Sequence, residues 1–227
     1  GAALRQMAHQ LSLMAQIPKG GPIVWPTVLI FFLGLGIIAE RVRYLRRGSC
    51  DAEAFMARVS ACIRQEDWDS CRRLCDGEKG KSVPRVIRTA LDFRQMSRED
   101  MENALQEAIL NEVPRLERFL STLGMLATIA PLLGLLGTVT GMINTFHVIT
   151  YYGTGDPRMM SSGISEALVT TMVGLGVAIP LMLAHTLISR RVEHTIAQME
   201  EKAVSFVNQV FKTRGRGGEG ARGRGDE

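Results

Sequence analysis

Residues 119–150, FLSTLGMLATIAPLLGLLGTVTGMINTFHVIT, form the longest uncharged stretch of the chain. The stretch exceeds the roughly 20 apolar residues that a helix needs to cross a bilayer. Its small residues recur at alternating steps of three and four, which places them on one face of a single helix. They are Gly124, Ala127, Pro131, Gly134, Thr138, Gly141 and Thr145. Such a face predicts close packing against another helix in lipid. Its threonines leave open whether the face also lines an ion path.

Two further apolar runs flank this stretch at a distance. Residues 22–39, PIVWPTVLIFFLGLGIIA, carry no charge, and residues 163–189 are uncharged from Ala167 to Ser189. Arginines follow each run directly, at Arg41 and Arg43 and again at Arg190 and Arg191. Clustered arginines mark the cytoplasmic end of a crossing. The sequence therefore predicts an all-α membrane protein with three transmembrane helices, its N-terminus outside and its C-terminus inside.

The same interpretation divides the chain into eight segments. They are a periplasmic amphipathic helix at 1–21, transmembrane helices at 22–39, 119–150 and 163–189, a cytoplasmic helical insert at 40–118, a periplasmic loop at 151–162, a cytoplasmic helix at 190–212 and a disordered tail at 213–227. We expect Ser97 and Asp100 to cap a helix that kinks near Pro114 and continues without a stop into the second crossing. Because the chain begins at Gly1 without Met, we expect a processed or trimmed product.

The charge and the cysteines exclude or weaken other classes of protein. The net charge is +4, but the basic residues lie beside the membrane segments and in the tail, and no nucleic-acid motif is present. An RNA-binding arm is the alternative for the tail, which has no aromatic residue with which to stack bases. Cys71 and Cys75 share one helical face. A metal or redox site is conceivable there, but we predict a reduced, packed pair, because zinc sites show tighter pairs and more ligands.

No constellation of residues favours an enzyme. The four histidines, at positions 9, 147, 185 and 194, lack carboxylate or cysteine partners at ligand spacing, and we interpret them as packed or interfacial. The run LLGLLGTVTG lacks the lysine of a phosphate-binding loop. We therefore predict no catalytic residue, no metal site and no cofactor.

Polar residues inside the third apolar run are the candidates for function. Glu166 lies in its first turns, and an ionisable group there is costly and indicates a functional site. Thr170 and Thr171 follow one turn deeper. Ala167, Thr171, Gly174 and Ala178 continue a second small face.

The two small faces lie on antiparallel crossings. Thr138 and Thr171 are each nine residues from the predicted outer end of their helix, so we predict a similar depth in the bilayer. The alternative is that the threonines only bond backbone carbonyls one turn back, and that Glu166 only reaches the interface.

Three ordered motifs resemble the MotA/TolQ/ExbB proton channel family, most closely its ExbB/TolQ branch. They are GGPIVWP…IIAER at 20–41, IAPLLGLLGTVTGMINTF at 129–146 and GISEALVTTMVGLGVAIP at 163–180, and the resemblance covers about residues 20–210. It implies a homopentamer around a pore. Two copies of a single-span partner of the ExbD, TolR or MotB type would occupy this pore and carry the ion-accepting aspartate.

The resemblance also implies roles for individual residues. Thr138, Thr171 and Glu166 match positions that line the family's ion path. Gly134, Gly141, Thr145, Ala167 and Gly174 would line the pore or pack its helices. Thr170 departs from the ExbB/TolQ pattern, which usually has alanine there, and resembles the Thr-Thr pair of sodium-driven stators. We therefore favour H⁺ as the translocated ion and keep Na⁺ as a hypothesis.

These features predict a channel subunit of an ion-driven motor in the bacterial inner membrane, embedded in the lipid bilayer as a multi-pass protein. It would power envelope transport through a TonB- or TolA-like protein, without a nucleic-acid partner. A gliding or flagellar-type stator subunit is one alternative, although such subunits usually have a fourth crossing. A non-conducting membrane scaffold is the other.

Overall fold

The computed structural model describes residues 23–48, 51–78, 80–153 and 157–222. The amphipathic helix predicted at 1–21 lies outside these ranges. The chain divides into two compact units. The first holds the residues up to Glu40 and residues Phe119–Ile188, and the second holds Arg41–Arg118 and the residues from Ser189. We call them the membrane unit and the cytoplasmic unit, after the locations that the sequence predicts. The boundaries at Arg41 and Ser189 fall at the arginine clusters that the sequence placed at the membrane surface.

The described residues form helices and contain no strand, which confirms the all-α prediction for this part of the chain. The helices are α1 (Val24–Gly48), α2 (Ala52–Arg64), α3 (Trp68–Gly77), α4 (Ser82–Asp92), α5 (Arg98–Glu117), α6 (Leu120–Tyr152) and α7 (Pro157–Arg222). Helices α1 and α7 each contribute to both units.

In the membrane unit, α6 runs antiparallel to α7, because Gly124 lies beside His185 while Gly141 lies beside Ala167. Helix α1 runs parallel to α7. Val24 packs with Val169 and Val173 at one end, and Gly34 lies against Leu181 further along. Alternating directions of this kind are what three successive crossings would produce.

Within the part of the chain that the structure describes, two helical runs are long and apolar enough to cross a membrane, at residues 98–151 and 160–215. Length and composition alone identify them, and α1 is not among them. The predicted topology of three crossings therefore stays a prediction.

The cytoplasmic unit is built on large apolar side chains. Helices α2 and α4 each bury one apolar face, which includes Val59 and Ile63 on α2 and Ile87 and Ala90 on α4. Helix α7 adds a stripe of buried apolar residues that are spaced seven, four, three and four positions apart in the sequence, so they lie on one face of the helix. Its members are Val192, Met199, Ala203, Phe206 and Val210.

Polar side chains define the helix ends of this unit. Asp51 and Asp67 accept the backbone N–H groups of Ala54 and Ser70, and thereby cap α2 and α3. The predicted cap of α5 is confirmed, because Ser97 Oγ accepts the Asp100 N–H at 3.1 Å. The Ser97 hydroxyl also donates to Asp100 Oδ2 at 2.7 Å.

The helix expected to continue without a stop from Ser97 into the second crossing is interrupted. Helix α5 contains Pro114 and ends at Glu117, and Phe119 adopts a left-handed φ of 60° before α6 begins. The buried Arg41 donates from Nη1 and Nη2 to the Arg115 carbonyl, which lies in the last turn of α5. An arginine at this position stabilises carbonyls that lack a helical partner.

The predicted bounds of α7 are wrong at both ends. The helix begins at Pro157, inside the segment predicted as a loop, and proline suits a first helical position. It continues to Arg222, ten residues into the segment predicted to be disordered. Adding residues to an existing helix costs less free energy than starting a new one, which favours this extension of α7. In addition, Arg214 anchors the first turn of this extension by donating to the Met96 carbonyl at 3.0 Å.

The two cysteines on α3 are buried and not joined in a disulfide. Burial raises the pKa of both thiols, Cys71 and Cys75, to about 12. The Cys71 Sγ–H lies 3.7 Å from the Val59 carbonyl of α2. A thiol that resists ionisation is a poor nucleophile and a poor metal ligand, which favours the packed interpretation.

Candidate functional site

The contact between α6 and α7 is a seam of small residues, which we define as Gly134, Thr138 and Gly141 of α6 with Ala167, Thr171 and Gly174 of α7. A Cβ added at Gly174 would lie 2.8 Å from Gly134 Cα and 2.9 Å from the Ala130 carbonyl. A Cβ added at Gly141 would lie 2.8 Å from Ala167 Cβ. The predicted small faces therefore pack against each other within one chain.

Thr138 and Thr171 meet at the middle of this seam. Their hydroxyl oxygens are in hydrogen-bond contact, so the two residues lie at the same level along the paired helices. Thr171 Oγ1 donates across the seam to the Gly134 carbonyl at 3.0 Å. Thr138 Oγ1 lies 3.2 Å from the same carbonyl and 3.5 Å from that of Ala167. Two hydroxyls and two carbonyl oxygens thus converge from two helices.

This cluster has more acceptor positions than hydrogens. Each hydroxyl has one hydrogen and two lone pairs, and a carbonyl has two lone pairs. Both threonines are partly exposed, so a water molecule or a cation can approach from the open side. Hydroxyl and carbonyl oxygens can order water or solvate a passing cation without holding it by a full charge.

Thr170 meets this cluster only through the Ala167 carbonyl. Its side chain is 4% exposed and fills the space beside Gly137, where an added Cβ would lie 2.6 Å from Thr170 Cβ. Its hydroxyl lies 2.7 Å from the Ala167 carbonyl and 3.0 Å from the Glu166 carbonyl, both on its own helix. Thr145 likewise is buried and donates to the Gly141 carbonyl one turn back at 2.9 Å. For these two threonines the structure favours the packing alternative.

Glu166 lies one turn away from Thr170 and is half-buried. Its side chain lines an open groove of about 440 Å³ on the same side of the seam as Gly137 and Thr170. The wall contributed by α6 carries Thr140, Asn144 and His147. Glu166 is therefore brought near the seam but not into the Thr138–Thr171 contact.

Sequence reasoning missed the polar wall of this groove. Thr140, Asn144 and His147 follow at steps of four and three, the same spacing that revealed the small face. This spacing could have revealed a polar face of α6. It is hard to recognise because large apolar side chains lie between these residues in the sequence, and the sequence analysis interprets the histidine as packed or interfacial. The structure instead exposes His147 beside the groove.

Comparison with known proteins agrees with this architecture. The sequence model of the MotA/TolQ/ExbB proton channel family matches residues 78–201, which is more than half of the chain. The chain belongs to this family. The matched region contains α6 and every residue of the seam, so the Thr138–Thr171 contact lies inside the MotA/TolQ/ExbB match.

Individual MotA/TolQ/ExbB relatives extend over most of the chain. The Tol-Pal system protein TolQ of Haemophilus influenzae is 35% identical over 200 residues, covering 82% of this chain and 88% of the relative. The biopolymer transport protein exbB1 of Vibrio cholerae is 25% identical, covering 91% and 87%. A protein of Methanothermobacter thermautotrophicus, named as an ExbB homolog, is 29% identical, covering 83% and 67%.

Proposed function

We propose that this chain is the channel subunit of an ion-driven motor in the bacterial inner membrane, of the ExbB/TolQ kind. Membership of a proton channel family and relatives named for biopolymer transport and the Tol-Pal system support this function. The observation that carries it is the Thr138–Thr171 contact, in which hydroxyls from two apolar helices meet in a glycine-rich seam.

The composition of the apolar segments supports a partner protein. Residues 22–39, 119–150 and 163–189 contain no Asp, Lys or Arg, and Glu166 is their one formal charge. A motor that converts ion flow into movement needs a group that binds and releases the ion. We therefore propose a pentamer of this chain around two copies of an ExbD- or TolR-like single-span protein with a membrane aspartate. A TonB- or TolA-like protein would transmit the movement.

The position of Thr170 favours H⁺ over Na⁺ as the translocated ion. Its hydroxyl donates to the Ala167 carbonyl and so occupies one acceptor of the oxygen cluster, while its side chain is packed beside Gly137. A sodium site needs several oxygens arranged around one ion, whereas proton transfer needs only connected water and hydroxyls. Flux measured in liposomes with sodium replaced by choline is expected to stay unchanged. Flux that requires sodium would overturn this choice of ion.

Valine substitutions at the paired threonines test the proposed channel. Thr138→Val and Thr171→Val preserve side-chain shape and remove the hydroxyl. We expect proton flux through the complex purified from membranes to fall at least about tenfold, as expected for the loss of an essential polar group. Size-exclusion chromatography with light scattering would report pentamer assembly for each variant.

The chain offers matched controls for these substitutions. Thr128 on α6 and Thr186 on α7 are exposed and donate only to carbonyls one turn back, at 2.9 and 3.0 Å. Thr128→Val and Thr186→Val should leave proton flux within about twofold of the wild type, since they remove only a bond to the helix's own backbone. Full flux in assembled Thr138→Val and Thr171→Val complexes would contradict a path through these hydroxyls, whereas an assembled wild-type complex without proton flux would support the non-conducting scaffold.

A further inference from the structure

The groove beside the seam holds two ionisable side chains. Among the described residues that line it, these are His147 of α6 and Glu166 of α7. The lining residue that precedes α1, Ile23, is apolar. Outside the lining, the His147 ring stacks on Tyr151 with ring centroids 4.7 Å apart. A carboxylate and an imidazole on opposite walls of one open groove form a pair that can exchange protons through water.

The rest of the groove suits a hydrated path. Asn144 stands one turn before His147 on the same wall, and Thr140 stands one turn before Asn144. With a volume of about 440 Å³, the groove could hold on the order of ten water molecules at about 30 Å³ each. At the far end of the polar wall lie Gly137 and Thr170, one residue in sequence from Thr138 and Thr171. The groove thus leads along α6 from His147 toward the oxygen cluster.

We propose that His147 and Glu166 form a proton-collecting relay at the entrance of the ion path, a role that rests on the proposed function. The imidazole takes a proton from water outside the groove and passes it, through groove water, to the Glu166 carboxylate. The neutral imidazole then accepts the next proton, and the protonated carboxyl passes its proton on toward the threonine pair. Each transfer moves one proton and leaves no net change in the protein.

The concentration of protons in bulk water falls a hundredfold between pH 5.5 and 7.5. A relay of this kind therefore matters most at the higher pH, where proton supply limits flux. A purely structural histidine would affect flux equally at both pH values.

Two substitutions at position 147 separate the relay from the ring stack. His147→Phe keeps an aromatic ring against Tyr151, and His147→Gln keeps a polar side chain, but neither can carry a proton. The test uses the purified complex in liposomes, with equal pH on both sides and a fixed potassium diffusion potential. At pH 7.5 both variants should show roughly tenfold less proton flux than the wild type, and at pH 5.5 flux within about threefold.

Each other outcome has a definite meaning. Wild-type flux at pH 7.5 in His147→Phe would overturn the relay in favour of a stacking role, and wild-type flux in both variants would overturn any role. The double variant His147→Gln/Glu166→Gln should be no worse than Glu166→Gln alone, because both residues serve one relay. Losses that multiply would contradict a shared path.

Two further variants make the readout specific. His194→Gln changes an exposed histidine of the cytoplasmic unit and should leave both flux values unchanged. Thr138→Val should lose flux at both pH values. If Thr138→Val keeps full flux, the proposed path through the threonine pair fails, and if the wild-type complex carries no flux, the proposed channel fails. If Thr138→Val loses flux while the His147 variants match the wild type, only the relay fails.

Discussion

The two units of this chain bury their helices by opposite means. In the membrane unit, glycine backbones and threonine hydroxyls form the contact between α6 and α7. In the cytoplasmic unit, the contacts involve large side chains such as Phe206, Met199 and Ile87, all of which are fully buried. Burying apolar side chains drives association in water but not in lipid, where the tails are equally apolar. In the membrane unit, close backbone approach and hydrogen bonds take the place of apolar burial as the source of helix association.

Buried charge shows the same contrast. Glu112 of α5 is buried and accepts from Arg85 Nη1 at 2.6 and 2.7 Å and from Arg115 at 3.2 Å. The ion pairs found among the described residues all lie in the cytoplasmic unit.

This contrast in packing predicts which substitutions destabilise each unit. Because the membrane unit depends on close backbone contact, an enlarged side chain should destabilise it most. The cytoplasmic unit depends on large buried side chains, so a truncated side chain should destabilise it most.

The largest effect is expected from adding a side chain to the seam. Gly174→Leu would force α7 away from the backbone of Gly134 and Ala130, which cannot move aside as a flexible side chain could. We expect loss of the folded chain, measured as the monodisperse fraction after extraction in mild detergent. Gly36→Leu is the control, because an added Cβ there meets nothing within 4 Å. Equal behaviour of the two variants would contradict tight packing of the seam.

A smaller loss is expected from removing a side chain in the cytoplasmic unit. Phe206→Ala empties a fully buried site and should lower the free energy of unfolding by about 3–5 kcal/mol. Val204→Ala, at a position that is 60% exposed, should change it by less than about 0.5 kcal/mol. Urea denaturation of the full chain in detergent, followed by tryptophan fluorescence, measures both. A Phe206→Ala variant as stable as Val204→Ala would show that this face is not buried in solution.

The smallest effect is a loss of stability in alkali. The pKa values of Cys71 and Cys75 are raised from 9.0 to about 12 in the folded chain. Stability from the neutral thiols is therefore complete below pH 9 and lost as the pH rises from 9 toward 12. At pH 10 the loss is on the order of 1 kcal/mol per thiol. The variant Cys71→Ala/Cys75→Ala should decline less between pH 8 and 10, and an identical decline would contradict the burial of these thiols.

Helical periodicity explains which features the sequence could predict. A period of three and four residues fixed the small faces of α6 and α7, and counting residues from the ends of antiparallel helices placed Thr138 beside Thr171. The same spacing underlies the buried faces of α2 and α4. These features depend only on the geometry of single helices and on their direction in the membrane.

Features that depend on tertiary contacts were not predictable in this way. The helix break at Phe119 lies five residues beyond Pro114, and its left-handed conformation is adopted by a phenylalanine rather than by the glycine that usually marks such a position in a sequence. Thr170 is adjacent in sequence to Thr171, yet its side chain packs beside Gly137, and within the oxygen cluster its hydroxyl reaches only the Ala167 carbonyl. The buried Glu112 pairs with the partly exposed Arg85, 27 positions away, and no local pattern marks either residue.

The contact between Thr138 and Thr171 is the central claim, and a comparison of serine with valine at position 138 tests it most directly. Serine keeps the hydroxyl and loses a methyl group, whereas valine keeps the shape and loses the hydroxyl. In liposomes containing the assembled complex, Thr138→Ser should retain at least about half of the wild-type proton flux, and Thr138→Val less than about a tenth. Equal flux in the two variants would contradict a role for the hydroxyl in ion movement.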